Sequence, residues 1–88
     1  MQVYVTPRAE QNFDSIVNYI RQAKEFIYKA DEIFGLLKDF PFMGQVESND
    51  IRGFQLSRQT RILYRVRNNK IIILAFFDVR KNPKKKFG

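Results

Sequence analysis

Apolar residues change their spacing once along the chain, near residue 44, and the change divides it into a helical half and a strand half. Residues 2–5, Gln-Val-Tyr-Val, predict a short strand that ends at Thr6-Pro7. Thr before Pro is a good helix start, because the hydroxyl caps an orphan N–H and Pro has no N–H to satisfy. Phe13, Ile16, Val17 and Ile20 then recur every 3.6 residues and predict an amphipathic helix over 7–22. Phe26, Ile27, Ala30, Ile33, Phe34 and Leu37 repeat the pattern. This second helix stops near Asp39, since Pro41 biases Phe40 away from helical geometry. With few residues between them, the helices form an antiparallel hairpin.

After the connector Pro41-Phe42-Met43-Gly44 the period falls to two, and strands are predicted over 51–57, 60–67 and 70–79. Asn68-Asn69 suits a two-residue hairpin turn, because Asn tolerates positive φ. The expected fold is α+β: a short N-terminal strand and an antiparallel two-helix hairpin, then three antiparallel strands forming a small sheet. Residues 1–88 form a single domain, with no internal repeat.

A two-residue loop at Asn68-Asn69 pairs Arg67 with Lys70, Arg65 with Ile72, Leu63 with Leu74 and Arg61 with Phe76. Alternation then turns Ile62, Tyr64, Val66, Ile71, Ile73, Ala75 and Phe77 toward the helices. Arg61, Leu63, Arg65, Arg67, Phe76, Asp78 and Arg80 occupy the other face. A tight turn at Arg58-Gln59 sets Arg52 opposite Arg65 and Phe54 opposite Leu63. Like charges facing each other across strands destabilise a sheet, so this register calls for an anion between Arg52 and Arg65. A face carrying Arg52, Arg61, Arg65 and Arg80 beside Phe54 and Phe76 suits phosphates and stacked bases. The plain alternative is a solvated face on which Asp78 pairs Arg80 or Arg61.

Charge strengthens the first of these. The 88 residues carry a net +7, with 16 Lys+Arg against 9 Asp+Glu. Residues 1–50 hold five Lys/Arg against eight Asp/Glu, and residues 51–88 hold eleven against Asp78 alone. This asymmetry predicts a surface for a polyanion or an acidic protein, with Arg58, Lys81 and Lys84 adding to it. The absence of His and Cys excludes zinc fingers, thiol nucleophiles, disulfides and imidazole acid–base chemistry. No metal and no cofactor is expected, because no cluster of carboxylates or imidazoles exists to hold an ion. No apolar run reaches the roughly 18 residues of a membrane span, so a cytoplasmic protein is expected.

The short first strand, Thr6-Pro7-Arg8-Ala9-Glu10, Phe42-Met43-Gly44, Arg61-Ile62-Leu63-Tyr64-Arg65-Val66 and Phe77-Asp78-Val79-Arg80-Lys81-Asn82-Pro83 together resemble the RelE/ParE toxin superfamily, most of all its plasmid stabilisation branch. The resemblance implies the toxin of a type II toxin–antitoxin pair, neutralised by a cognate antitoxin that wraps it and adds a strand or helix. RelE-like members are ribosome-dependent mRNA endonucleases, and ParE-like members inhibit DNA gyrase. The family's nuclease positions fall on Arg52, Arg61 and Arg80, leaving Phe54, Arg58, Arg65, Phe76, Lys81 and Lys84 for target binding.

RNA cleavage through the 2′-hydroxyl needs a base, a proton donor for the leaving oxygen and cations for the phosphorane. Arg supplies only the cations. The Tyr or His that nuclease members often carry near the C-terminus is absent here, and Glu47 lies in the connector. Endonuclease and gyrase inhibitor both stay open, with a non-toxic nucleic-acid-binding or partner-holding module as the alternative. The charge asymmetry also favours an acidic antitoxin.

Overall fold

The computed structural model describes residues 1–78. Their order is β1 (Gln2–Val5), α1 (Pro7–Tyr19), α2 (Ala23–Asp39), β2 (Gln45–Ser48), β3 (Ile51–Gln55), β4 (Thr60–Arg67) and β5 (Lys70–Asp78). The strands form one sheet in the order β1-β5-β4-β3-β2. β1 runs parallel to β5, and the other neighbours are antiparallel.

The helices start and stop for the expected local reasons. Thr6 caps α1 by accepting the Ala9 N–H at 3.1 Å, and Pro7 opens the helix. α1 ends at Tyr19, three residues earlier than its apolar spacing predicts, because Ile20 turns extended. Asn68 and Asn69 have φ of 52° and 62°, the pair of positive values a tight two-residue hairpin requires. Ile16, Phe26, Ile33 and Leu37 of the helices pack on Ile62, Tyr64, Ile71, Ile73 and Phe76 of the sheet. One sheet face therefore belongs to the core, and the opposite, outer face carries the charged residues of β4.

Three features depart from the sequence reading. First, the stretch before β3 holds an additional strand, β2, which pairs with β3 and carries a bulge at Glu47 between the pairs Val46↔Arg52 and Ser48↔Ile51. Second, the β3–β4 loop has three residues, Ser57 to Gln59, closed by the Leu56 N–H on the Thr60 carbonyl at 2.9 Å. The extra loop residue shifts the register by one, so Arg52 faces Tyr64, Phe54 faces Ile62 and Ile51 faces Arg65. Arg52 does not oppose Arg65, and no like-charge repulsion arises there. Third, β5 bulges at Leu74, between the pairs Tyr64↔Ile73 and Leu63↔Ala75. One inserted residue reverses the parity of all that follows. Arg61 consequently faces Phe77 rather than Phe76. Phe76 and Asp78 are buried on the helix side, 5% and 7% exposed, while Ala75 and Phe77 move to the outer face.

Candidate functional site

The outer face is organised by β4, whose uninterrupted alternation places Arg61, Leu63, Arg65 and Arg67 in one row. Each arginine in this row is held by a carboxylate from the β2 region. Arg61 forms an ion pair with Glu47, and its Nη1 donates to Gln55 Oε1 at 3.0 Å. The side chains of Arg61 and Glu47 are only 16% and 13% exposed. Asp50, in the turn between β2 and β3, pairs with Arg65 at 3.3 Å and with Arg67 at 3.0 Å.

Glu47 reaches Arg61 because of two local devices. Alternation along β2 puts it on the same face as Gln45, which pairs with the outer-face Gly53. Beneath the pair lies Gly53, where a Cβ would stand 2.5 Å from Glu47 Oε2 and 2.7 Å from Arg61 Nη2. Only glycine leaves room for the carboxylate and guanidinium to meet there. The Nε–H groups of Arg61 and Arg65 are enclosed and have no acceptor among the described residues. Each guanidinium therefore keeps a donor that its own carboxylate does not satisfy, enclosed away from solvent.

The other sequence-derived candidates lie elsewhere. Arg52 stands on the helix-side face, where Nη1 donates to the Gly44 and Phe42 carbonyls at 2.8 and 3.1 Å and the guanidinium lies 5.0 Å over the Phe42 ring. It fastens the strap between α2 and β2. Phe54 packs against the core, and Phe76 is inside it, against Phe13 at 5.1 Å between ring centroids. Neither presents a ring on the outer face. Arg58 is exposed in the β3–β4 loop, away from the row. Arg80, Lys81 and Lys84 lie outside the described residues. Of the nine candidates, Arg61 and Arg65 thus share the outer face, separated along β4 by about 13 Å.

Tyr64, read from sequence as core, is fully buried. Its hydroxyl donates to the Pro41 carbonyl at 2.9 Å and accepts the Gly44 N–H at 2.9 Å. Burial raises its pKa above the ordinary phenol value, against smaller lowering effects of the Gly44 hydrogen bond and the Arg52 charge. Tyr19, at the end of α1, is hydrogen-bonded to the buried Asp78 carboxylate. Asp78 therefore anchors the end of β5 to α1 and is not the counter-ion of Arg61.

Sequence reasoning missed Glu47 and Asp50. The signal was present in Gln45-Val46-Glu47-Ser48, an alternating tetrad followed by the turn-forming pair Asn49-Asp50 and a second alternating run from Ile51. Asn49 has φ of 51°, as such a turn favours. Among the described residues no three carboxylates gather to hold a metal, and no helix is long and apolar enough to cross a membrane.

Residues 3–83 match the family model described as ParE toxin of type II toxin–antitoxin system, parDE. No curated protein matches. Among solved structures, a YoeB/ParE toxin from Agrobacterium tumefaciens is similar at a TM-score of 0.73 and 13% identity, over 89% of this chain and 98% of that one. A YoeB dimer from Staphylococcus aureus gives 0.68 and 14%, over 88% and 94%. The chromosomal ParDE system from P. aeruginosa gives 0.63 and 18%, over 89% and 95%. At these identities the structures share the fold.

Proposed function

We propose how this chain acts from the fact that it belongs to the ParE toxin family of type II toxin–antitoxin systems, within the RelE/ParE superfamily. In this reading it arrests growth in the cytoplasm by docking the outer face of its sheet on DNA gyrase. A cognate antitoxin, whose loss with a plasmid would free the toxin, holds it in check. Binding rather than bond cleavage is the mode of action.

The observation that carries this reading is the state of the arginine row. Arg61, Arg65 and Arg67 are fixed cations braced by Glu47 and Asp50, and no group beside Arg61 among the described residues can protonate a leaving oxygen. Tyr4, on the outer face, sits opposite Ile72, which sits opposite Arg65. That puts it two strands away, about 10 Å from the row. Arg at neutral pH neither gives nor takes a proton. What the row offers is positive charge at Arg65 and Arg67, whose side chains are 28% and 58% exposed, beside the more enclosed Arg61.

Glu47 favours a second reading. A carboxylate held against an arginine on the outer face of the sheet is placed as a general base beside a cation, the arrangement an mRNA endonuclease needs for half of its chemistry.

One pair of assays separates the two. The purified chain is incubated with gyrase and supercoiled DNA, and separately with ribosomes carrying mRNA, with Arg61→Ala and Glu47→Gln alongside. Loss of supercoiling activity by wild type, abolished in Arg61→Ala, with intact mRNA is the expected result. Codon-positioned mRNA cuts that vanish in Glu47→Gln would replace gyrase with the ribosome. Activity on neither target, with growth unaffected on induction, would sink the toxin reading.

A further inference from the structure

The two layers of the molecule carry opposite charge. α1 and α2 together hold four Lys/Arg against six Asp/Glu, whereas residues 45–78 of the sheet layer hold six Lys/Arg against Glu47, Asp50 and Asp78. On the helical side, a slot of about 280 Å³ opens between α1, α2 and the end of β1. Its aromatic residues Phe13, Phe76 and Phe34 are in sequential contact, with ring centroids 5.1 and 6.2 Å apart. Val5 and Ile27, 40% and 44% exposed, add apolar walls. Glu10 of α1 and Asp31 of α2 also line it, both exposed and neither in an ion pair among the described residues.

The Leu74 bulge turns Phe76 into this slot, with its N–H bonded to Asn12 Oδ1 at 3.3 Å. The slot is therefore built by the same insertion that sets the outer face. At about 280 Å³ it falls just below the range of roughly 300–1,000 Å³ typical of small-molecule pockets. It suits one or two side chains of a partner. Aromatic surface accepts aliphatic and cationic groups alike, and two unpaired carboxylates select the cation.

We propose that this slot docks a partner-protein segment presenting an apolar side chain flanked by lysine or arginine. That the partner is the antitoxin rests on the toxin reading; the chemistry of the slot does not. An antitoxin that satisfies both layers is bipolar, with its acidic part over the sheet and a basic-apolar part over the helices. Uniform acidity, expected from net charge alone, would place repelling carboxylates beside Glu10 and Asp31.

The test has two arms on the full chain. In the first, a synthetic helical peptide of Ala, Leu and Arg is titrated into the isotope-labelled protein, beside a version with Glu for each Arg. Amide shifts at Val5, Ile27 and Ala30 with the Arg peptide, and at least fivefold weaker binding of the Glu peptide, are expected. Equal binding of both peptides, shifts confined to β4, or shifts that appear on concentrating the protein alone, which would mean a second copy in the slot, would overturn the proposal. In the second arm, the antitoxin encoded beside the gene is titrated against wild type, Glu10→Lys/Asp31→Lys and Glu10→Gln/Asp31→Asn. At least tenfold weaker binding of the charge-reversed variant and a smaller loss for the neutral one are expected, with growth arrest unchanged when each is expressed alone. Unaltered antitoxin affinity overturns the proposal. Absence of arrest by wild type overturns the toxin reading instead and leaves the peptide arm to decide the slot.

Discussion

Glu47 meets Arg61 directly above Gly53, and the pair exists because Gly53 has no side chain. Gly53 does not have positive φ, so an alanine fits its backbone. Gly53→Ala is therefore expected to displace the ends of two flexible side chains rather than the strand. The pair is mostly buried, so parting its charges costs more than losing a surface ion pair, roughly 1–3 kcal/mol. Reduced chain entropy in the unfolded state returns about 0.4–1 kcal/mol. Gly53→Ala should therefore stay folded with a lowered unfolding temperature, while target inhibition falls as far as in Arg61→Ala. Full activity in Gly53→Ala would show that the geometry of the pair is irrelevant to function.

Arg52 carries a contrasting prediction. Its Nη1 binds two carbonyls of the strap, and its guanidinium plane lies over Phe42. Arg52→Ala removes both hydrogen bonds and the ring contact, and should lower stability by roughly 1–3 kcal/mol. Arg52→Lys restores the charge but not the planar contact with Phe42, so it should recover only part of the loss. Urea unfolding of the three proteins measures this. Target inhibition by folded Arg52→Ala should stay near wild type, because the side chain lies on the other side of the sheet from Arg61.

These two arginines mark how far the sequence could be read. Elements set by neighbours in the chain were legible: the Thr6-Pro7 start, the stop before Pro41 and the Asn68-Asn69 turn all follow from local stereochemistry. The outer face was not, because it depends on parity. From Ile71 to Phe77 every residue is apolar, so no alternation marks where the bulge at Leu74 enters. Ser57 is as compatible with a loop as with a strand end, yet it decides whether Arg52 shares a face with Arg61. Arg61 and Arg65 were placed correctly because β4 contains no insertion. Glu47 escaped notice because residues 45–48 read as connector, and without a strand there no alternation assigned its side chain to a face.

The Asn68-Asn69 turn gives a prediction with opposite signs at one site. Both residues hold positive φ, which a β-carbon disfavours and glycine does not. Asn69→Gly should leave stability unchanged or raise it slightly, whereas Asn68→Ala/Asn69→Ala should cost about 1–2 kcal/mol. Thermal unfolding of the two variants tests it; equal stabilities would mean that the turn changes type at little cost.

The buried phenol of Tyr64 makes stability fall at alkaline pH. Its folded pKa is raised, chiefly by burial, so the folded state holds the proton more tightly than the unfolded chain does. The stabilisation from the neutral hydroxyl is fully present below the unfolded value near 10. It is lost as pH climbs from there through the folded pKa, because the unfolded chain releases the proton first. Tyr64→Phe removes this dependence. It also strips the Gly44 N–H and the Pro41 carbonyl of their shared partner, at a cost of about 1–3 kcal/mol for each group left buried without a partner. The phenylalanine variant should therefore be less stable at pH 7, and its disadvantage should narrow as pH rises above 10. Urea midpoints measured from pH 7 to 11 for the two proteins give the comparison. Parallel curves would show that the Tyr64 hydroxyl does not titrate with unfolding.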